Sequence, residues 1–291
     1  MRFRFIDQHR DEFPVRRTCT VLNVSSSGYY AWRKRPVSAR EMANQQLLQE
    51  IQALHAANYE SYGSPRIYRA LRAQGVACSE NRVARLMRLY HVRAKRSRRY
   101  RVTTKRNKAH LVAPNVLRRD FWAERPNHKW LADITYIPTR DGWLYLAVIL
   151  DLYARRVVGW AMSDRVTSDL TVSALKMAID QRQPRPGLIH HSDQGSQYTD
   201  STYRQLLQDH AIEASMNSTG NWYDNAPMES FFGTLKSELV RCRRYDTRRD
   251  ARADLFFYIE SFYNRRRLHS MLGYLSPEAY EQLYYDDVAF A

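Results

Sequence analysis

The sequence lacks the features that mark secreted, disulfide-stabilised and membrane-spanning proteins. Its 291 residues include three cysteines, Cys19, Cys78 and Cys242, which are too far apart for a CxxC metal pair and odd in number. No apolar run reaches the length of a membrane span, and the start, MRFRFIDQHR, has no apolar signal core. These absences predict a cytoplasmic protein with reduced thiols. The length of the chain is sufficient for one or two domains around a buried core.

Acidic residues are scarce in the first part of the chain. Residues 1–125 contain nine Asp and Glu against 27 Lys and Arg, whereas residues 126–291 contain 21 against 19. The net charge of +16 therefore comes from the front alone, which predicts a polyanion-binding front and an electrically balanced rear. The alternative, a basic surface that serves only solubility, predicts a more even spread.

Two helical regions are predicted in this basic front. Residues 14–33 indicate a short helix, a turn at Asn23 and a second helix capped by Ser25. This unit is either a small DNA-binding helix-turn-helix or a helical pair that packs its aromatic residues inward. A second helix-turn-helix is predicted in residues 41–92, where Pro65 suits a first helical turn and Gly75 a helix end.

The last helix of the second region has an apolar stripe and an arginine face. Ser79 is a suitable N-cap. The stripe and the arginines are expected on opposite sides of the helix, so the arginine face either binds DNA or is simply solvated. The stripe consists of Val83, Leu86, Met87 and Tyr90, and the arginines are Arg82, Arg85 and Arg88.

The segment that follows favours DNA binding. Residues 93–110 contain nine Lys and Arg, with Arg96, Arg98 and Arg99 among them, and no acid. A segment this charged cannot bury itself. It is therefore predicted to be a flexible linker that follows the DNA backbone.

After Pro114 the composition changes and strand signals begin. KWLADITYI, GWLYLAVILDLY and RRVVGWAMS predict a three-stranded antiparallel meander. A helix over 168–182 follows, then a short buried strand in GLIHHSD, a helix in STYRQLLQDH, a strand in AIEASM and a helix in NAPMESFFGTLKSELV. The order β-β-β-α-β-α-β-α predicts an α/β, ribonuclease-H-like fold, in which helices flank a five-stranded mixed sheet.

Three acids occupy corresponding points of this predicted fold. Asp133 lies on the first, central strand, Asp193 at the end of the fourth, and Glu229 one turn into the helix after the fifth, with 35 residues between Asp193 and Glu229. Taken singly, each acid could be an ordinary residue of a strand, a turn or a helix surface, without a catalytic role. Together they are expected to converge, and three close carboxylates repel unless cations neutralise them. Oxygen ligands suit Mg²⁺ or Mn²⁺, and two such ions support phosphodiester cleavage and strand transfer.

Several motifs resemble one known family. KWLADITYI, HHSDQGSQY, NWYDNAPMESFFGTLK and YNRRRLHSMLGYLSP are similar to the orfB-type transposases of insertion-sequence family three, members of the integrase-core superfamily of DDE recombinases. SSSGYYAW, YGSPRIYRAL and NRVARLMR resemble the helix-turn-helix regions that precede the core in that family. The resemblance runs from Cys19 to Tyr280, and Pro227 and Met228 depart from the residues that relatives often carry there.

The resemblance implies specific roles and partners. It makes Asp133, Asp193 and Glu229 the catalytic metal ligands, and Lys236, two helical turns after Glu229, a phosphate contact. It implies a bacterial, nucleoid-associated transposase that nicks element ends and joins them to target DNA, as a homo-oligomer on the DNA. It also implies a small upstream orfA-type partner, separate or fused by frameshifting. The retroviral relatives' zinc module has no counterpart here, so no structural zinc is expected.

The expected domain order combines these regions. It comprises a helix-turn-helix-like segment (1–40), a helical DNA-binding region (41–92), a basic linker (93–120), the catalytic core (121–240) and a helical extension (241–291). In that extension Arg265, Arg266, Arg267 and His269 either contact DNA or another subunit, or belong to a capping segment with its arginines in solvent. Two other functions stay open: a DNA-binding regulator with a catalytically silent core, and a metal-dependent ribonuclease of the same fold.

Overall fold

The computed structural model describes residues 1–95, 113–217 and 222–289, and the chain forms two compact units, residues 1–52 and 53–291. The predicted DNA contacts Arg96, Arg98 and Arg99 lie outside the described residues. The front helices are α1 (Arg2–Gln8), α2 (Val15–Val21), α3 (Ser26–Lys34), α4 (Ala39–Ala57), α5 (Ser64–Ala73) and α6 (Glu80–Leu89).

The first unit has a small aromatic core of its own. The Ser25 hydroxyl accepts a hydrogen bond from the Gly28 backbone N–H at 3.0 Å, which caps α3 as expected. Cys19 and Tyr29 are buried together with Ile6 in this core. The two helices and the cap predicted for residues 14–33 are therefore present, and Tyr29 faces inward.

Helices α5 and α6 form the helical part at the start of the second unit. The Ser79 hydroxyl accepts from the Arg82 backbone N–H at 3.3 Å, so the predicted N-cap of α6 is confirmed. Val83, Leu86 and Met87 are buried. The prediction that Tyr90 is the fourth member of this stripe was wrong. Helix α6 ends at Leu89, and Tyr90 lies beyond its last turn and is 43% exposed.

A five-stranded mixed sheet is the centre of the second unit. Its strand order is β3-β2-β1-β4-β5, with antiparallel pairing from β1 to β3 and parallel pairing of β4 with both β1 and β5. This is the ribonuclease-H-like sheet that the sequence predicts, with the meander confirmed and β1 in the centre. The strands are β1 (Lys129–Thr139), β2 (Gly142–Asp151), β3 (Arg156–Ser163), β4 (Ile189–Ser192) and β5 (Glu213–Met216).

Helices cover both faces of the sheet because alternate strand residues point to opposite sides. Leu131 and Val148 belong to one core together with residues of α10 and α11. Trp130 and Ile149 belong to the other, together with residues of α7 and α9. The helices are α7 (Ser168–Arg182), which has the predicted bounds, α8 (Ser196–Thr199), α9 (Ser201–Asp209), α10 (Ala226–Glu238), α11 (Arg248–Phe257) and α12 (Pro277–Ala289).

The extension after α10 packs on the core through a buried ion pair. Helix α11 continues as a π-helix over Tyr258–Tyr263, within the extension that the sequence predicts to be helical. Beyond it, the Arg267 guanidinium donates to the Glu238 carboxylate at 2.8–3.1 Å, and both side chains are about 5% exposed or less. Arg265 and Arg266 are exposed, so both alternatives stay open for them, whereas the expectation of a solvated side chain is wrong for Arg267.

Within the part of the chain that the structure describes, no helix combines the length and apolar character needed to cross a membrane.

Candidate active site

Strand pairing brings Asp133 and Asp193 to the same edge of the sheet. The parallel pairing of β1 with β4 ends where Leu131 lies opposite His191. Two residues beyond this pair are Asp133, still on β1, and Asp193, the first residue after β4. Asp133 accepts a hydrogen bond from the Ile134 N–H at 2.7 Å, and Asp193 accepts one from the Gly195 N–H at 2.9 Å. Both carboxylates are thus oriented by their own backbone.

Glu229 approaches from helix α10, which packs on the same face of the sheet. Pro227 lies in the first turn of α10, where its missing N–H costs nothing, and Glu229 follows one turn from the helix start. Met228, a departure from the family pattern, is completely buried in the core under this helix. The departure therefore falls on packing, and Glu229 keeps a partly exposed position beside it.

The three carboxylates have raised pKa values. Burial, the Asp193 carboxylate and, more weakly, the Glu229 carboxylate raise the pKa of Asp133 to about 8. Burial also raises the pKa of Asp193 and of Glu229. Burial is the main cause in each case, and at Asp133 the neighbouring carboxylates add repulsion. Clusters of this kind are typical of functional sites.

The donor set fits a hard divalent cation by its chemistry. Carboxylate oxygens are the ligands that Mg²⁺ and Mn²⁺ prefer, and a cation would relieve the repulsion that raises the pKa of Asp133. Among residues 1–95, 113–217 and 222–289, however, no group of three or more His, Cys, Asp or Glu side chains is already gathered as a metal site. The carboxylates thus interact electrostatically without forming a closed coordination cage.

Lys236 lies on α10 at the border of this site. It is 9% exposed, and the nearby Asp133 carboxylate partly opposes the burial that lowers the pKa of the Lys236 ammonium. Its Nζ atom lies 4.7 Å from the centre of the Tyr136 ring. A cation–π contact of this kind orients the ammonium at the site's edge. Sequence reasoning predicted Lys236 but not its aromatic partner.

The two histidines before Asp193 are engaged by neighbouring residues. The His190 imidazole is buried, which lowers its pKa to about 3, and its Nε2 atom lies 3.0 Å from the Tyr203 hydroxyl. His191 Nε2 lies 2.6 Å from Asn217 Oδ1, and His191 Nδ1 lies 2.8 Å from Ser215 Oγ. Because the amide oxygen can only accept, Nε2 carries the proton and Nδ1 accepts from the serine. Both rings are thus placed to support the strand end.

Asp224 forms a second buried network that ties the start of α10 to the segment before β1. It is 1% exposed and accepts from Arg119 Nε at 2.8 Å and from Asn115 Nδ2 at 2.9 Å. Close by, Ser215 Oγ accepts from the backbone N–H groups of Val116 and Leu117 at 3.0 and 3.1 Å. The network was not predicted, because it joins residues about a hundred positions apart that share no local pattern.

The predicted arginine face lies on α6. Arg85 and Arg88 are exposed there, and Arg82 is partly buried. An exposed arginine face on this helix is available to a polyanion.

Family comparisons match both halves of the chain. Residues 42–100 match the HTH-like domain, and residues 123–221 and 229–283 match the Integrase core domain. The HTH-like match does not include the helices of residues 14–33.

Comparisons with individual proteins extend over nearly the whole chain. The chain is 44% identical over 271 residues to the Insertion element IS600 uncharacterized 31 kDa protein of Shigella sonnei, covering 93% of this chain and 100% of that one. It is 41% identical over 283 residues to Transposase InsF for insertion sequence IS3A of Escherichia coli (strain K12), covering 97% and 98%. Among solved structures, a chain of the simian T-cell lymphotropic virus intasome in complex with PP2A regulatory subunit B56 gamma superposes with a TM-score of 0.48, at 16% identity, covering 79% of this chain and 74% of that one.

Proposed function

We propose that this chain, which belongs to the transposases of insertion-sequence family three and is a DNA transposase, cuts and joins DNA through Asp133, Asp193 and Glu229. The observation that carries the proposal is the convergence of Asp133 and Asp193 where the pairing of β1 with β4 ends, close enough for the Asp193 carboxylate to add to the effect of burial on the pKa of Asp133. The relatives that share its full length are insertion-element proteins, one of them named a transposase. These relatives support a transposase and neither a silent regulator nor a ribonuclease.

The three carboxylates are the ligands of a divalent cation, Mg²⁺ or Mn²⁺, and two such ions are proposed. When bound, the cations neutralise developing charge and activate the attacking oxygen of an in-line displacement at phosphorus. The protein itself orients the three carboxylates. The backbone N–H groups of Ile134 and Gly195 hold the two aspartates, and α10 presents Glu229. Lys236 contacts a phosphate beside them.

DNA binding is assigned to the basic front. The helices of 41–92 and the linker of 93–120 hold the element end, with contacts from Arg82, Arg85, Arg88, Arg96, Arg98 and Arg99. The core of 121–240 catalyses cutting and joining of DNA, and the extension of 241–291 packs on this core and stabilises it. Specific end binding requires an upstream orfA-type partner, and the active form is a homo-oligomer on DNA. Comparing end binding by the chain with and without that partner tests the requirement.

The test of the active site is cleavage of labelled element-end DNA in the presence of Mg²⁺. Asp133→Asn, Asp193→Asn and Glu229→Gln keep side-chain size and remove one ligand charge each. Each is expected to lower the cleavage rate about a thousandfold or more, since metal-assisted charge stabilisation contributes several kcal/mol. Asp209→Asn, at the exposed end of α9, is the matched control and keeps the full rate. Cleavage that survives all three changes contradicts the proposed active site.

A further inference from the structure

The end of the β1–β2 hairpin carries two exposed aromatic side chains beside the active site. Tyr136 is 38% exposed and Trp143 is 48% exposed. Their rings meet edge to face, with centres 5.0 Å apart and planes at 83°. Tyr136 lies opposite Tyr145 in the strand register, so Trp143 is its diagonal neighbour two residues along β2.

Lys236 joins this aromatic pair to the carboxylates. Strand alternation directs Tyr136 and Asp133 to opposite sides of β1. The pairing of β1 with β4 ends at Leu131, however, so β4 does not cover the edge of β1 beyond that residue. At this edge Lys236 lies 4.7 Å from the Tyr136 ring and also interacts with the charge of Asp133. The aromatic pair is therefore at the rim of the active site.

The charges around the pair favour an anionic partner. Arg248 donates from Nε to the Trp143 carbonyl at 3.0 Å, and its backbone N–H faces Asp141 at 3.3 Å. Arg140, which is exposed, pairs with Asp246 at 3.0 Å. Lys236 adds a cation directly at the rings, where it also faces the Asp133 carboxylate. Aromatic rings with an adjacent cation are the elements that bind unpaired nucleotides.

We propose that Trp143, with Tyr136 and Lys236, is a binding site for an unpaired nucleobase of the DNA substrate, next to the reacting phosphate. Lys236 already lies over the Tyr136 ring, so Trp143 offers the stacking surface and Tyr136 holds it by the edge-to-face contact. A base–aromatic stack tolerates any base, so the site selects unpaired over paired DNA and not one sequence over another. The proposal rests on the proposed function, because it takes DNA as the substrate.

A photochemical crosslink tests the site on the unaltered protein. A DNA duplex with a short single-stranded overhang carries an iodinated deoxyuridine in the overhang, and a second duplex carries it base-paired. Irradiation followed by peptide mass spectrometry is expected to find the overhang crosslinked to Trp143 or Tyr136, and the paired base not. A crosslink elsewhere only, or equal crosslinking of the paired base, overturns the proposal.

Binding by variants supplies the second measurement. Trp143→Leu, which keeps an apolar side chain on the strand, is expected to bind the overhang DNA about tenfold more weakly and blunt duplex unchanged. Trp143→Phe is expected to retain most of the binding, and Trp122→Leu, at a 67% exposed tryptophan, is the matched control. Equal loss for both DNAs overturns the proposal, as does a change in oligomeric state alone, which would make the pair a contact between copies.

The crosslink and the binding do not require cleavage, so they are repeated in Asp193→Asn. An intact crosslink in a chain that no longer cleaves supports both proposals. If cleavage survives in Asp193→Asn while Trp143→Leu loses overhang binding, the active-site assignment fails and the base site stands. If Asp193→Asn loses cleavage and the binding of overhang DNA does not depend on Trp143, the result supports the active-site proposal and contradicts the base-site proposal.

Discussion

Asp193 keeps its orientation because the turn that follows it is built around a glycine. The Gly195 N–H donates to the carboxylate at 2.9 Å, and a Cβ atom on this residue would lie only 2.9 Å from Asp193 Oδ1 and 2.3 Å from Gln197 Nε2. A larger residue would therefore displace one of the side chains that the turn holds. The glycine in HHSDQGSQY thus serves the close approach of backbone to carboxylate.

Asp224 lies just before the helix that carries Glu229 and is placed to fix the start of that helix. In Asp224→Ala, Arg119 and Asn115 lose their acceptor, and we expect the free energy of unfolding to fall by about 1–3 kcal/mol. Cleavage should fall further than this stability loss explains, with DNA binding retained, because α10 loses its anchor. Urea unfolding and the cleavage assay measure the two effects.

The conservative variant separates positioning from general destabilisation. Asp224→Asn keeps an oxygen that can accept from one partner, so it should recover part of both losses. Asp209→Asn, on the exposed end of α9, should change neither. Equal cleavage by wild-type and Asp224→Ala protein, measured where both are folded, would rule out the positioning role.

Helix α10 is anchored at its other end by the ion pair between Glu238 and Arg267. The Glu238 carboxylate also accepts from the Tyr258 hydroxyl at 2.7 Å, so three elements meet at one buried charge. Since this helix carries Glu229 and Lys236, the buried pair supports the candidate active site from the end of the helix opposite to Glu229. The basic motif near the end of the chain therefore serves in part to stabilise the interior of the protein.

Breaking this pair should be costly, because it leaves a buried charge without its partner. We expect Arg267→Met to lower the free energy of unfolding by about 3–5 kcal/mol. Arg266→Met, one residue earlier on an exposed side chain, should change it by no more than about 0.5 kcal/mol. Denaturant unfolding compares the two. The double variant Arg267→Met with Glu238→Gln should recover part of the loss; similar small effects in both single variants would argue against a buried brace.

Much of the second unit was predictable because its elements carry local patterns. Helix α7 has the predicted bounds, since apolar residues repeat along residues 168–182, and the strand order follows from three apolar runs and two short buried ones. The π-helix of Tyr258–Tyr263 was missed, because nothing in its apolar spacing distinguishes one extra residue in a turn. The contacts of Asp224 and of Lys236 with Tyr136 were missed because they depend on tertiary packing alone.

At the scale of the molecule, charge and chemistry are carried by different parts of the chain. The front holds all of the excess positive charge, and the rear holds the carboxylates whose pKa values are raised. Positive charge in the front attracts DNA over distances of about a Debye length. The two aspartates hold protons more tightly in the folded state, so the stability of the fold should depend on pH and on any cation bound at the site.

The pH dependence of stability follows from two of these acids. The pKa of Asp151 is raised to about 6 and that of Asp133 to about 8, both chiefly by burial. For an acid whose folded pKa is raised, the folded state holds the proton more tightly, so stability falls as pH rises from the unfolded pKa to the folded one. Asp151 acts up to about pH 6 and Asp133 up to about pH 8. Without a divalent cation, stability should therefore still fall between pH 6.5 and 8, and Asp133→Asn should remove that fall.

Added Mg²⁺ should reverse this loss, because the folded state gathers the carboxylates and the unfolded chain does not. At a hundred times Kd the gain is about 2.7 kcal/mol. The cation competes with the proton on Asp133, so the rise in Tm should be larger at pH 8.5 than at pH 6.5, as measured by differential scanning fluorimetry. Asp193→Asn should abolish the rise and Asp209→Asn keep it. A rise that is independent of pH, or that persists in Asp193→Asn, would place the bound cation elsewhere on the protein.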